Sequence, residues 1–207
     1  MRQAITFPTT LVRKVPWLFL ATVLVFVYGL AAIIPASKAQ SAQSAKAPSA
    51  KATPEILRNV ATLPSPVAKM RTEILQAAAS GDIERMREPV DLNEIPPMAA
   101  KEKTGNLVAY WKSVSGDGQG REVMAVLVKL FRTGFVRKPQ KNGGTMYVWP
   151  YFAEMPLNKL TPAQEVELLT LISPAQMKEM RAKGYYDGYR IGIAQDGVWH
   201  FFLTGAP

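Results

Sequence analysis

"YRIGIAQDGVWHFFL", residues 189–203, decides how the chain folds. Asp196-Gly197 stands between two runs rich in β-branched and aromatic residues, the pattern of a β-hairpin. A two-residue turn there predicts that Gln195 faces Val198, Ile193 faces His200, Ile191 faces Phe202 and Gly192 faces Phe201. A phenylalanine lying across a glycine on the next strand is a stabilising pair. In this register Tyr189, Ile191, Ile193 and Phe202 form the core side, and Arg190, Trp199 and Leu203 the other.

A second hairpin lies upstream. "FVRKP" (135–139) and "TMYVWPYF" (145–152) flank the glycine-rich "QKNGG". Alternation along the second strand puts Met146, Val148 and Phe152 on one face. Tyr147, Trp149 and Tyr151 fall on the other, a row of rings with polar tips suited to a half-wet binding surface. Pro150 cannot donate to a ladder and marks an edge strand or a strand end. Glu154 follows just beyond it. Two hairpins predict a four-stranded antiparallel sheet with helices against one face, an α+β fold.

Helices surround these strands. "SPVAKMRTEILQAAASG" (65–81) carries Val67, Met70, Ile74 and Ala78 at helical spacing, with Gly81 to stop it and Asp82 to cap a short turn. "VDLNEIPP" (90–97) reads as an irregular connector, and "NLVAYWKSV" (106–114) fits helix or strand. "REVMAVLVKLFRTG" (121–134) has a broad apolar stripe. "TPAQ" (161–164) and "SPAQ" (173–176) each pair a hydroxyl cap with a glutamine three residues on, and each places Pro at the first helical position. Gly184 closes the second of these helices.

The first residues are basic, through Arg2, Arg13 and Lys14. Val15–Ile34 follows without a charge, and then the small-residue tract "PASKAQSAQSAKA". Residues 1–39 therefore read as a signal peptide or a signal anchor. The small residues favour a cut at Ala39/Gln40. The apolar run is 20 residues by count, long enough to span a bilayer, which leaves a retained anchor open. Either outcome places the rest of the chain outside the cytoplasm, released or held at the inner membrane. Residues 40–53, "QSAQSAKAPSAKAT", have no large apolar side chain and read as a flexible linker. Residues 54–207 then form one domain.

Composition narrows the chemistry. There is no cysteine, hence no disulfide framework, lipid-attachment cysteine or thiol nucleophile. Removing Arg2, Arg13, Lys14 and Lys38 from the 25 cations leaves 21 against 16 acidic residues, a net charge of about +5. That mild excess does not call for nucleic acid. His200 is the only histidine, and no spacing suggests a metal site or a cofactor. "GDGQGRE" (116–122) matches neither nucleotide-binding pattern and reads as a turn with a cap.

Several surfaces remain as candidates. Tyr147, Trp149 and Tyr151 with Glu154 and Arg190 would form a ligand platform for a sugar or peptide. Arg132, Arg137, Lys138 and Lys141 would touch anionic lipid or cell-wall polymer. Glu154 with Asp91 or Glu94 is the remaining carboxylate pair for hydrolysis of cell-wall glycan or peptide. A membrane-anchored scaffold or assembly protein is the third alternative. The expected function is a non-catalytic binding module whose partner is an envelope protein, glycan or anionic lipid.

"GREVMAVLVKLFRTGFVRK", "YVWPYFAEMPLNKLTPAQEVELL" and "GYYDGYRIGIAQDGVWHFFLTG" resemble a family of exported alphaproteobacterial proteins of unknown function. The resemblance spans roughly residues 65–205, with "YVWPYFAE" and "GIAQDGVWHFF" its most specific pieces. It implies a periplasmic or envelope address and assigns no catalytic residue.

Overall fold

The computed structural model describes residues 54–100, 105–141 and 143–205. The signal or anchor segment and the linker lie outside them. Six α-helices and four strands are formed in the described chain: α1 (Ser65–Ala79), α2 (Arg87–Asp91), α3 (Leu107–Val114), α4 (Arg121–Leu130), β1 (Val136–Pro139), β2 (Thr145–Trp149), α5 (Pro162–Leu169), α6 (Pro174–Lys183), β3 (Arg190–Ala194) and β4 (Trp199–Leu203). The sheet is antiparallel with order β1-β2-β3-β4, the α+β arrangement expected from two hairpins.

Local chemistry explains most boundaries. Thr161 and Ser173 each complete a capping box with Gln164 and Gln176, and Gly184 closes α6 at φ +83°. Asn106 accepts the Ala109 N–H, which settles residues 107–114 as helix. At α1 the cap position falls on Pro64, with no side-chain cap bond. α4 ends at Leu130, short of Gly134. The missing side chain of Gly134 serves packing. A Cβ there would meet Ile56 Cγ2 and the Leu57 carbonyl oxygen, each at 3.0 Å.

The largest departure from expectation concerns the second face of the sheet. Helices cover both faces. On one, α1, α3 and α4 pack Val67, Ile74, Trp111 and Leu127 against Tyr147, Trp149, Ile191, Ile193 and Phe202. On the other, α5, α6 and the segment after β2 pack Leu168, Met180, Tyr151, Phe152 and Leu157 against Val136, Met146, Val148 and Ala194. A sheet covered on both sides has no wet face, so alternation in the strands sorts residues between two cores.

The turn of the last hairpin also differs. Gly197 N–H donates to the Ala194 carbonyl at 2.8 Å, and Ala194 N–H to the Val198 carbonyl at 2.9 Å. Gln195 and Asp196 thus occupy the turn, and Gly197 follows it at φ +94°. Ile193 therefore pairs with Trp199, not with His200. A bulge at His200 then restores the expected pairs Gly192–Phe201 and Ile191–Phe202. The extra residue changes which way Trp199 faces. It joins Ile193 and Phe202 in the first core, stacked on Trp111 with ring centroids 5.9 Å apart.

Phe201 does lie over Gly192, as the sequence predicts. A Cβ at Gly192 would come within 2.3 Å of two Phe201 ring carbons. Gly192→Ala is expected to cost about 1–3 kcal/mol through overpacking. Adding Phe201→Ala should recover part of the strain term, which urea unfolding of the single and double variants measures.

Candidate functional site

The aromatic row is the first candidate to place. Tyr147 is 6% exposed, Trp149 and Tyr151 are 0% exposed, and all three belong to the cores. Trp149 meets Phe131 edge-on with centroids 5.2 Å apart and lies 5.0 Å from Phe135. Tyr151 falls in a turn on the opposite side of the sheet from Tyr147 and Trp149. The three rings therefore make no common platform, and the expected binding row is a packing feature. The reason is that α1, α3 and α4 cover the face of Tyr147 and Trp149, which alternation alone left open to a ligand, while Tyr151 turns into the other core.

Tyr151 instead joins a charged clamp. Its hydroxyl donates to Glu167 Oε2 at 2.9 Å. Arg58 donates to both Glu167 oxygens, at 2.9 and 2.7 Å, the fork geometry favoured for guanidinium and carboxylate. The Arg58 guanidinium also lies 5.4 Å from the centroid of the Tyr151 ring. Burial alone would raise the Glu167 carboxyl, but hydrogen bonds from Arg58 and Tyr151 outweigh it and hold the group below its ordinary value. Burial, reinforced by the bond to Glu167, pushes the Tyr151 phenol up. Around this clamp residues 55–58 form a strap. Leu57 exchanges two 2.8 Å backbone bonds with Phe135, and Glu55 meets Arg137 at 2.7 Å.

Glu154 and Arg190 are brought near each other, but in a closed setting. Glu154 binds Lys138 at 2.7 Å. Arg190 donates to the Gly205 carbonyl, and burial lowers its guanidinium while the Glu154 charge works the other way. Asp91 belongs to α2, beside the α1 layer. Glu154 sits in the turn whose neighbours Phe152 and Ala153 pack in the opposite core, so the sheet stands between the proposed carboxylate partners. In the basic run, Arg137 and Lys138 are thus ion-paired, while Arg132 and Lys141 stay exposed. His200 is exposed on its bulge. Among the described residues, no three metal-ligating side chains cluster.

The glycine-rich loop before α4 is also filled. Asp117 accepts from the Ser115 hydroxyl at 2.5 Å, Gln119 N–H at 3.0 Å and Arg121 N–H at 3.2 Å. The bond from Ser115, helped by those backbone donors, holds this carboxylate below its usual range. The chain's own side chain thereby occupies the position where an external anion would bind a helix N-terminus.

A cleft of about 350 Å³ lies open between α4, α6 and the ends of β3 and β4. Its apolar lining is Val126, Leu130, Leu171, Ile172 and Met180, and its polar lining includes Lys129, Gln176, Glu179 and Thr204. Lys183 and Asp187, paired at 2.6 Å, stand beside it, and that contact raises the Lys183 ammonium. Tyr186, buried at one end, donates to the Tyr189 carbonyl at 3.0 Å and shapes the loop. The cleft is concave and lined by apolar and polar groups in near-equal share, so it could seat a small ligand that carries both. Sequence reasoning missed it because its walls come from distant segments. The available signal was Gln176, Glu179, Met180 and Lys183, which recur along one face of α6.

No family model, curated protein or solved structure matches this chain.

The clamp yields a pH signature. A carboxylate held below its unfolded value stabilises the fold above that value and loses its contribution as pH falls. Glu167→Gln is expected to cost about 1–2 kcal/mol at neutral pH, discounted because Arg58 is largely exposed. The gap between wild type and variant should close as pH drops below the ordinary glutamate value of 4.5. Urea unfolding across pH 3–7 checks it.

Proposed function

We propose that this chain is an exported binding module of the cell envelope and that its binding surface is the cleft between α4 and α6. The observation that supports this reading is the cleft itself: an apolar floor with a mixed-charge rim. Such a site suits a small amphiphilic or peptidic ligand, since the floor takes an apolar group and the rim sets its orientation. The polar groups most suggestive of chemistry in the sequence are tied up elsewhere. Glu154 answers Lys138, and Asp117 accepts from the first turn of α4. The export half of the proposal rests on the basic start, the apolar run and the small-residue tract of the N-terminal segment.

Filling the cleft tests the binding half. Val126→Trp and Thr204→Trp both place bulk on lining positions, and neither residue is fully buried. Thermal unfolding is followed in the presence of short peptides, muropeptide fragments and anionic amphiphiles. A true ligand at a hundredfold excess over its Kd should raise the wild-type Tm by about 5–10 °C. Both tryptophan variants should keep the wild-type Tm without ligand and lose that increase. A ligand whose shift survives in both variants binds elsewhere and overturns the assignment of the cleft.

A further inference from the structure

Two side chains of opposite charge stand on the walls of the α4–α6 cleft without a partner. Lys129, in the last turn of α4, is exposed on one wall, and Glu179 of α6 is exposed on the other. Among the described residues, neither side chain makes a hydrogen bond or an ion pair. Glu179 acts through space on Lys183, one turn further along α6, but that ammonium is held by Asp187 at 2.6 Å. An unpaired charge on an open surface is commonplace. Here two of opposite sign share one concavity. Their buried sequence neighbours, Leu130 and Met180, form part of its floor.

We propose that the cleft takes a short peptide with free termini and apolar side chains, its carboxylate beside Lys129 and its ammonium beside Glu179. The inference rests on the reading of this cleft as the binding surface. Charge selects the class. A purely anionic ligand gains Lys129 but meets Glu179, and a cation gains Glu179 but meets Lys129. A molecule with one charge of each sign answers both. Separation then favours a peptide over a single amino acid. The two charges of a free amino acid leave the same carbon, whereas Lys129 and Glu179 come from different helices. Each further residue moves the termini apart by up to about 3.3–3.6 Å. Size sets the upper limit. At about 350 Å³ the cleft lies near the lower end of ligand sites, which run from roughly 300 to 1,000 Å³. That leaves room for about two or three residues and excludes a long chain. Between the two charges, Gln176 and Thr204 can reach the peptide group of the ligand. The Gln176 side-chain oxygen already accepts the Ser173 N–H, so its NH2 end is the one to meet a ligand carbonyl.

Leucyl-leucine is compared with its N-acetyl, C-amide and doubly capped forms on the full chain, held in nanodiscs and carrying methyl-labelled methionine. The Met180 methyl on the cleft floor reports occupancy by NMR, and Met70 in the opposite core is the reference. Capping either terminus should weaken binding about three- to fivefold, the worth of one solvent-screened charge pair. Lys129→Gln should abolish the penalty for amidating the carboxylate and keep the penalty for acetylating the amine. Glu179→Gln should do the reverse. Both positions are exposed, so neither change disturbs a core. Free leucine should bind more weakly than leucyl-leucine. Equal affinity for all four forms overturns the inference, as do capping penalties that both glutamine variants leave in place, or leucine binding as tightly as the dipeptide. Octanoate separates this inference from the reading beneath it. If octanoate shifts Met180, Val126→Trp removes that shift and no dipeptide binds, the peptide falls and the cleft stands. If no probe gives a Met180 shift that Val126→Trp removes, both fall.

Discussion

The structure depends on a sheet that is dry on both sides. Four strands lie between α1, α3 and α4 on one face and α5, α6 and the turns after β2 on the other. Every strand residue that faces a helical layer must then be apolar, or carry its polar atom to a partner. Trp199 does so, sending its indole N–H to the Phe201 carbonyl at 3.0 Å. Trp149 does not. Its indole nitrogen is buried without a hydrogen-bond partner, a cost offset by packing against Phe131 and Phe135. The bulge at His200 belongs to the same constraint, because it lets two large residues three positions apart, Trp199 and Phe202, face one core.

Much of this frame was legible in the residues. Asp196-Gly197 announced the last hairpin, the two capping boxes fixed the starts of α5 and α6, and the apolar stripe of 121–130 gave α4. The second layer was not legible. Alternation at Met146–Trp149 separates two faces and does not say whether a face is wet, and tyrosine and tryptophan suit either setting. The layer over Met146 and Val148 gives little warning, since α6 buries only Met180 and α5 only Leu168 in full, and the face of Tyr147 and Trp149 is taken by α1, α3 and α4. The bulge was hidden for another reason. A two-residue and a three-residue turn both fit the Gln195–Gly197 stretch, and only the packing of Trp199 decides between them. Asn93 looked like one more polar residue in a connector, yet its side chain ties three elements together.

The candidate site followed the same division. Residues singled out for their chemical type were mostly already answered by a neighbour: Glu154 by Lys138, Arg137 by Glu55, and Asp117 by the amides of the turn it caps. Such pairing is a structural use of charge, and it needs long-range contacts that spacing along the chain does not reveal. The surfaces left open lie elsewhere. One is the α4–α6 cleft, assembled from segments some 50 residues apart. Another is the connector between α2 and α3, where proline and asparagine shape the backbone and the exposed side chains are incidental to folding.

The strap gives the domain a defined point at which to be held. Residues 55–58 run antiparallel to β1, joined at Leu57–Phe135 and secured by two ion pairs, Glu55–Arg137 and Arg58–Glu167. A pull on the upstream chain would reach these few bonds before it reached either core. Directed along β1 it would shear them together, and directed away from the sheet it would peel them one at a time. The strap would then act as a mechanical fuse, yielding while the globule behind it kept its shape.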